Sequence, residues 1–116
     1  MSNKVTIYHN PRCGTSRTTL ALLEEKGITP EINLYMDTPP DAKTLKGLLT
    51  KLGFSSARQL IRTKEDLYKE MNLADASEQV LIDAMVQNPK LIERPIVIVG
   101  DKARLGRPPE KVLEIL

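Results

Sequence analysis

Val5-Thr6-Ile7-Tyr8-His9-Asn10-Pro11-Arg12-Cys13-Gly14-Thr15-Ser16-Arg17 holds the one cysteine of the chain and decides how the rest is read. Alternating polar and apolar residues over positions 4–8 predict a strand. A helical pattern carrying Leu20 and Leu23 follows over residues 15–26 and meets Gly27, which is suited to end it. Cys13 therefore lies at a strand-to-helix junction. There it faces free backbone N–H groups and the positive end of a helix dipole, both of which favour thiolate over thiol. Arg12, Arg17 and His9 are candidates to add positive potential. A lone cysteine is otherwise most often a small buried core residue, but the junction favours a reactive one.

Working outward, residues 31–35 alternate again and predict a second strand. The β-α-β start requires a parallel crossover, right-handed by rule. Thr38-Pro39-Pro40 breaks the pattern. Leu45, Leu48, Leu49 and Leu52 then recur at the spacing of an amphipathic helix that ends at Gly53. Ser55 or Ser56 can cap a short helix carrying Leu60 and Ile61, and another short helix is expected over residues 66–71. Asp75-Ala76-Ser77-Glu78 has the form of a capping box opening a helix with Leu81, Ala84 and Met85 inward, closed by Asn88-Pro89. Residues 41–88 thus read as a helical insertion within a single domain of residues 1–116. Strand character returns at Pro95-Ile96-Val97-Ile98-Val99. Gly100-Asp101 signals a hairpin, and residues 102–105 form its return strand. Pro108-Pro109 opens a last helix with Val112, Leu113 and Leu116 on one side. The order β-α-β, helical insertion, β-β-α, with a cysteine after the first strand, is that of an α/β thioredoxin-like mixed sheet. In that fold class a cis-proline stands beside the cysteine, and Arg94-Pro95 occupies the matching place.

Composition narrows the function classes. The chain has 116 residues, enough for one modest core. Aromatics amount to one Phe and three Tyr, so a base-stacking platform for single-stranded nucleic acid is not expected. The net charge of +2, from 17 Lys+Arg against 15 Asp+Glu, is too weak to argue for nucleic acid. One cysteine excludes an internal disulfide. Met1-Ser2-Asn3-Lys4-Val5-Thr6 shows no apolar leader, and no apolar run approaches membrane-spanning length. A reducing cytoplasm is the expected compartment.

Cys13-Gly14-Thr15-Ser16 is a C-x-x-S motif, so any disulfide made here joins an outside thiol. Ser16 can either hydrogen-bond the thiolate or cap the helix. Phosphatase chemistry of the C-x5-R kind fails on spacing, because position 19 is Thr. His9, the one histidine, is a candidate partner of the thiol or a simple loop residue. With a single cysteine it makes a poor zinc site, and no metal is expected. Arg62, Arg94 and Arg107 each read singly as surface charges. The latter two flank the hairpin, whose loops lie near the cysteine end in a thioredoxin-like fold. Arginine's rigid fork of donors suits a tetrahedral oxyanion.

These residues together resemble a known family. Tyr8 to Arg17 is similar to the active-site loop of glutaredoxin-dependent arsenate reductases of the ArsC type, with the YfgD-like branch particularly close. Leu34-Tyr35-Met36-Asp37-Thr38-Pro39-Pro40, Leu60-Ile61-Arg62, Glu93-Arg94-Pro95-Ile96-Val97, Arg104-Leu105-Gly106-Arg107-Pro108 and Val112-Leu113-Glu114-Ile115-Leu116 match in the same order. The resemblance implies that Cys13 is the nucleophile, that His9 and Ser16 help hold the thiolate, and that Arg62, Arg94 and Arg107 bind arsenate or a similar oxyanion. It implies reduction of arsenate to arsenite with glutathione as co-substrate, glutaredoxin as partner and no tightly bound cofactor. Two departures stand out. Many arsenate reductases continue beyond the position of Leu116, and some carry a second cysteine where this chain has Gly106. Two other functions compete. Spx-type regulators resemble the same family and bind RNA polymerase, but Ser16 in place of a second cysteine and the full arginine set favour an enzyme. A glutathione-linked oxidoreductase acting on another substrate is the second alternative.

Overall fold

The computed structural model describes residues 4–116, so Met1-Ser2-Asn3 of the N-terminal stretch lies outside the described residues. The chain divides into two compact units, residues 4–38 with 94–116, and Pro39–Glu93.

The first unit is built on a four-stranded sheet of β1 (Val5–Tyr8), β2 (Glu31–Asn33), β3 (Ile96–Val99) and β4 (Lys102–Leu105), in the order β2-β1-β3-β4. β1 pairs parallel with β2, with Ile7 opposite Ile32, and antiparallel with β3, with Ile7 opposite Val97. The parallel pair needs a crossover, supplied by α1 (Gly14–Glu25). Gly27, at φ +78, turns the chain back from α1 where a side chain would be strained. β3 and β4 form the expected two-residue hairpin, with Val99 opposite Lys102 and Gly100 at φ +61. This is the thioredoxin-like mixed sheet read from the sequence. Ile7, Leu23, Val97 and Val112 are fully buried and form its aliphatic core. Tyr8 and Tyr35 stack with ring centroids 6.2 Å apart.

Two elements of this unit differ from the sequence expectation. β2 ends at Asn33 rather than residue 35, because Asp37 and Thr38 N–H groups return to the Leu34 carbonyl in a turn. The closing segment Pro109–Ile115 is a 3-10 helix, not an α-helix. At three residues per turn Val112 faces inward, whereas Leu113 and Leu116 share another face and are 38% and 46% exposed.

The second unit is helical. α2 (Ala42–Leu52) is capped by Asp41, whose Oδ1 accepts from Thr44 N–H at 2.8 Å, and buries Leu45, Leu48, Leu49 and Leu52. It packs against α4 (Glu78–Gln87), and α3 (Asp66–Glu70) lies between them in sequence. The N-cap of α4 is Ser77, not Asp75, which sits in a 3-10 turn. Glu78 does not close a box on its own helix. It reaches Ser56 Oγ at 2.6 Å and Ala57 N–H at 2.7 Å and so supports the turn Ala57–Gln59, which Ser56 and Gln59 cap reciprocally. Ile61 bridges Ile92, and Arg62 N–H donates to the Leu91 carbonyl at 2.7 Å. Among the described residues no helix is long and apolar enough to cross a membrane.

Candidate active site

A short turn delivers Cys13 to the start of α1. Asn10 Oδ1 accepts from Arg12 N–H at 3.0 Å, and the Asn10 carbonyl accepts from Cys13 N–H at 3.0 Å. Arg17 Nη1 donates to the Pro11 carbonyl at 2.8 Å and holds the turn against the helix. Cys13 itself is the N-cap, with extended φ −97 and ψ 122. No side-chain oxygen caps this helix, and its first turn carries no acidic residue. The terminal N–H groups, which no intrahelical carbonyl can satisfy, are left to the sulfur.

The electrostatics of that sulfur are a contest. Burial, the largest single influence, pushes the Cys13 thiol up. The Ser16 N–H, the Arg94 guanidinium acting by hydrogen bond and charge, and the Thr15 N–H together outweigh it and bring the thiol below its ordinary value. Arg107 Nη2 stands 3.7 Å from Sγ, while its Nε donates to the Arg94 carbonyl at 2.8 Å. Arg94 Nε is buried with no hydrogen-bond partner among the described residues. The positive neighbours are therefore Arg94 and Arg107, whose loops the sequence reading put near the cysteine end, and not Arg12 and Arg17, which it also offered. Arg12 is exposed, and Arg17 is turned to the Pro11 carbonyl.

His9 is not a source of charge either. Burial, aided by Arg17, holds its pKa below the ordinary histidine value, so the ring is neutral at pH 7. Its Nδ1 lies 2.6 Å from Ser16 Oγ, which also accepts from Asn10 N–H at 3.0 Å. The hydroxyl carries one proton and two acceptor lone pairs, so it takes the Asn10 N–H and pairs with Nδ1 in either tautomer of the ring, leaving Nε2 as the ring nitrogen not engaged by Ser16. The Ser16 side chain accordingly braces β1 against α1, leaving its backbone N–H for the sulfur; it does not cap the helix. His9 is 6% exposed and Ser16 fully buried.

Two further positions noted in the sequence, the predicted Arg62 and the departure at Gly106, behave differently. Arg62 belongs to the helical unit, where its Nε meets Glu93 Oε1 at 3.0 Å and its Nη1 meets Glu65 Oε2 at 3.5 Å. Gly106 marks a close approach. Its N–H donates to the Pro95 carbonyl at 3.0 Å, and a Cβ there would stand 2.6 Å from Thr19 Oγ1 and 2.8 Å from Pro95 Cγ. The chain thus passes tightly over α1 just before Arg107. Both Arg94-Pro95 and Arg107-Pro108 peptide bonds are cis; only the first was anticipated. Sequence reasoning missed Asn10 as the turn former, although an Asn-Pro pair after a strand is a turn signal. It also missed Thr19, a buried polar residue on the core face of α1 that gives no sequence signal; its hydroxyl returns to the Thr15 carbonyl at 2.9 Å.

Comparison with known proteins identifies the family. The chain is 64% identical over 118 residues to the protein YfgD of Escherichia coli K12, covering 100% of this chain and 99% of that one. It is 54% identical over 114 residues to an arsenate reductase of Haemophilus influenzae, covering 97% and 98%. A solved arsenate reductase from Vibrio cholerae superposes with a TM-score of 0.96 at 52% identity, covering 100% of both chains. The model of the ArsC family matches residues 8–115, a stretch that contains the thiol loop and all three arginines, and the chain belongs to the ArsC family.

Proposed function

We propose that this chain reduces arsenate to arsenite, with Cys13 as nucleophile and glutathione and glutaredoxin as the external thiols. The observation that carries this reading is the sulfur's setting, an uncapped helix N-terminus faced by Arg94 and Arg107. Such a site favours a thiolate and offers guanidinium donors to a tetrahedral anion beside it. The buried, unpartnered Nε of Arg94 is a donor that an oxyanion would satisfy. The sequence resemblance alone supports Arg62 as a third anion-binding group, and the names of the related reductases support the substrate.

The chemistry balances as follows. The Cys13 thiolate attacks arsenic, an S–As bond forms, and an As–O bond breaks as one hydroxyl of dihydrogen arsenate leaves as water, taking up the proton of the second arsenate hydroxyl. Arg94 and Arg107 offset the charge on the remaining oxygens. The glutathione sulfur then attacks Cys13 Sγ. The S–As bond breaks with its electron pair left on arsenic, which becomes arsenite, while Cys13 and glutathione are oxidised to a mixed disulfide. A glutaredoxin thiolate takes the glutathione and frees Cys13. His9 and Ser16 hold the loop that presents the sulfur. The lone cysteine supports a need for external thiols and is in keeping with a reducing compartment such as the cytoplasm.

The test is arsenite production by the purified chain with arsenate, glutathione and glutaredoxin, omitting each in turn. Turnover should need all three, vanish in Cys13→Ser, and fall in Arg62→Lys through a higher KM for arsenate. Robust turnover without either thiol donor would overturn the reading.

A further inference from the structure

We infer that a pocket on the β2 side of the thiol loop binds the external thiol, a zwitterionic thiol peptide of the glutathione class. The inference rests on the reductase reading only in that this reading requires such a thiol. The pocket has a volume of about 400 Å³, within the range of small-molecule sites. It is lined by His9 and Arg12 from the loop and by Leu34, Met36 and Asp37 from the turn after β2.

Its chemistry matches such a ligand group by group. The Arg12 guanidinium and the Asp37 carboxylate form no ion pair among the described residues, so each is open to a partner. An arginine fork receives a peptide carboxylate, and a carboxylate receives an α-ammonium. Leu34 and Met36, 40% and 41% exposed, offer apolar cover to a methylene stem. His9 also lines the pocket, and its Nε2, the ring nitrogen not engaged by Ser16, is one more hydrogen-bonding group.

Direction favours the same side. In the sheet order β2-β1-β3-β4, Arg94 precedes β3 and Arg107 follows β4, so both reach Cys13 from one flank of β1. A thiol displacing arsenic at Cys13 Sγ attacks in line with the breaking S–As bond, from the flank opposite the arginines. The pocket lies on that opposite flank, where β2 is the sheet edge.

Thiol–disulfide exchange tests this without arsenate. The Cys13 thiolate attacks glutathione disulfide, giving the Cys13–glutathione mixed disulfide and one glutathione thiolate, which mass spectrometry follows with time. Uncharged 2-hydroxyethyl disulfide is the parallel probe. Asp37→Asn and Arg12→Gln should each slow reaction with glutathione disulfide about fivefold or more, and reaction with 2-hydroxyethyl disulfide less than twofold. Equal slowing of both disulfides, or slowing of neither, overturns the pocket. If the natural chain formed no arsenite, the reductase reading would fail by itself, because these rates are read without that reaction.

Discussion

The two units of this protein start their long helices in opposite ways. In the helical unit every helix start that carries a hydrogen-bonding cap uses a side-chain oxygen: Asp41 for α2, Ser77 for α4 and Ser56 for the turn Ala57–Gln59. In the sheet unit α1 begins at Cys13, with no oxygen cap and no acidic first turn. A conventional cap satisfies the terminal N–H groups and stabilises the helix. At α1 those groups are directed at a sulfur, and the same physics that would stabilise a helix stabilises a thiolate instead. The difference teaches why the proposed chemistry sits at α1: among the described residues it is the one long helix whose start was left without an oxygen.

Cys13→Ser should break this contrast most strongly. Serine is a good N-cap, so the variant should lose all turnover while its stability to denaturant stays level or rises by about 0.5–1 kcal/mol. Arsenite production and urea melts of the two chains report both quantities. Retained turnover, or a clear loss of stability, would show that the sulfur is neither the nucleophile nor the cap.

Next in size is Arg94→Lys. Lysine keeps a charge but loses the planar fork, so kcat/KM for arsenate should fall about 10- to 100-fold with an unchanged circular dichroism spectrum. The Cys13 alkylation midpoint should also move up, since the Arg94 guanidinium is one of the groups that lower it. An unchanged midpoint would separate Arg94 from the sulfur.

Ser77→Ala asks the reverse question of the helical unit. Loss of a conventional cap should cost about 1 kcal/mol of stability and leave arsenite production per folded molecule unchanged. A drop in kcat would mean that this helix start also serves the chemistry.

The smallest effect is the pH dependence carried by Cys13. Its folded-state pKa lies below the ordinary thiol value of about 8.5, so the unfolded chain holds the proton more tightly. The resulting stability is complete above that ordinary value. It shrinks as pH falls toward the lowered folded value and is gone below it. The stability difference between the natural chain and Cys13→Ser should therefore change with pH in that window and nowhere below it. A difference that stays flat from about pH 5 to pH 10 would contradict the lowered thiol.

Legibility followed the range of the interaction involved. The strand before Cys13, the stop at Gly27, the leucine face of α2 and the Gly100-Asp101 hairpin are local, and their residues announce them. Ser77 was obscured by Asp75, because both satisfy the capping pattern and only the service of Glu78 to the Ala57 turn separates them. The final helix was misassigned because apolar spacing over a few residues does not distinguish 3.6 from 3 residues per turn.

By itself the sequence determined that one cysteine would meet a helix N-terminus, that no second thiol could pair with it, and that a thioredoxin-like order of elements surrounds it. Those are properties of neighbours in the chain and of counting. Only the tertiary structure decided which charges face the sulfur. Arg12 and Arg17 stand nearest in sequence, yet strand pairing brings Arg94 and Arg107 to it from some 80–95 positions away. It likewise decided that His9 is neutral, because burial and the Arg17 charge lower its pKa, and that position 106 must be small, because Thr19 and Pro95 close over it. Charge, protonation and free volume at a site are sums over groups distant along the chain, and folding is what brings those groups together.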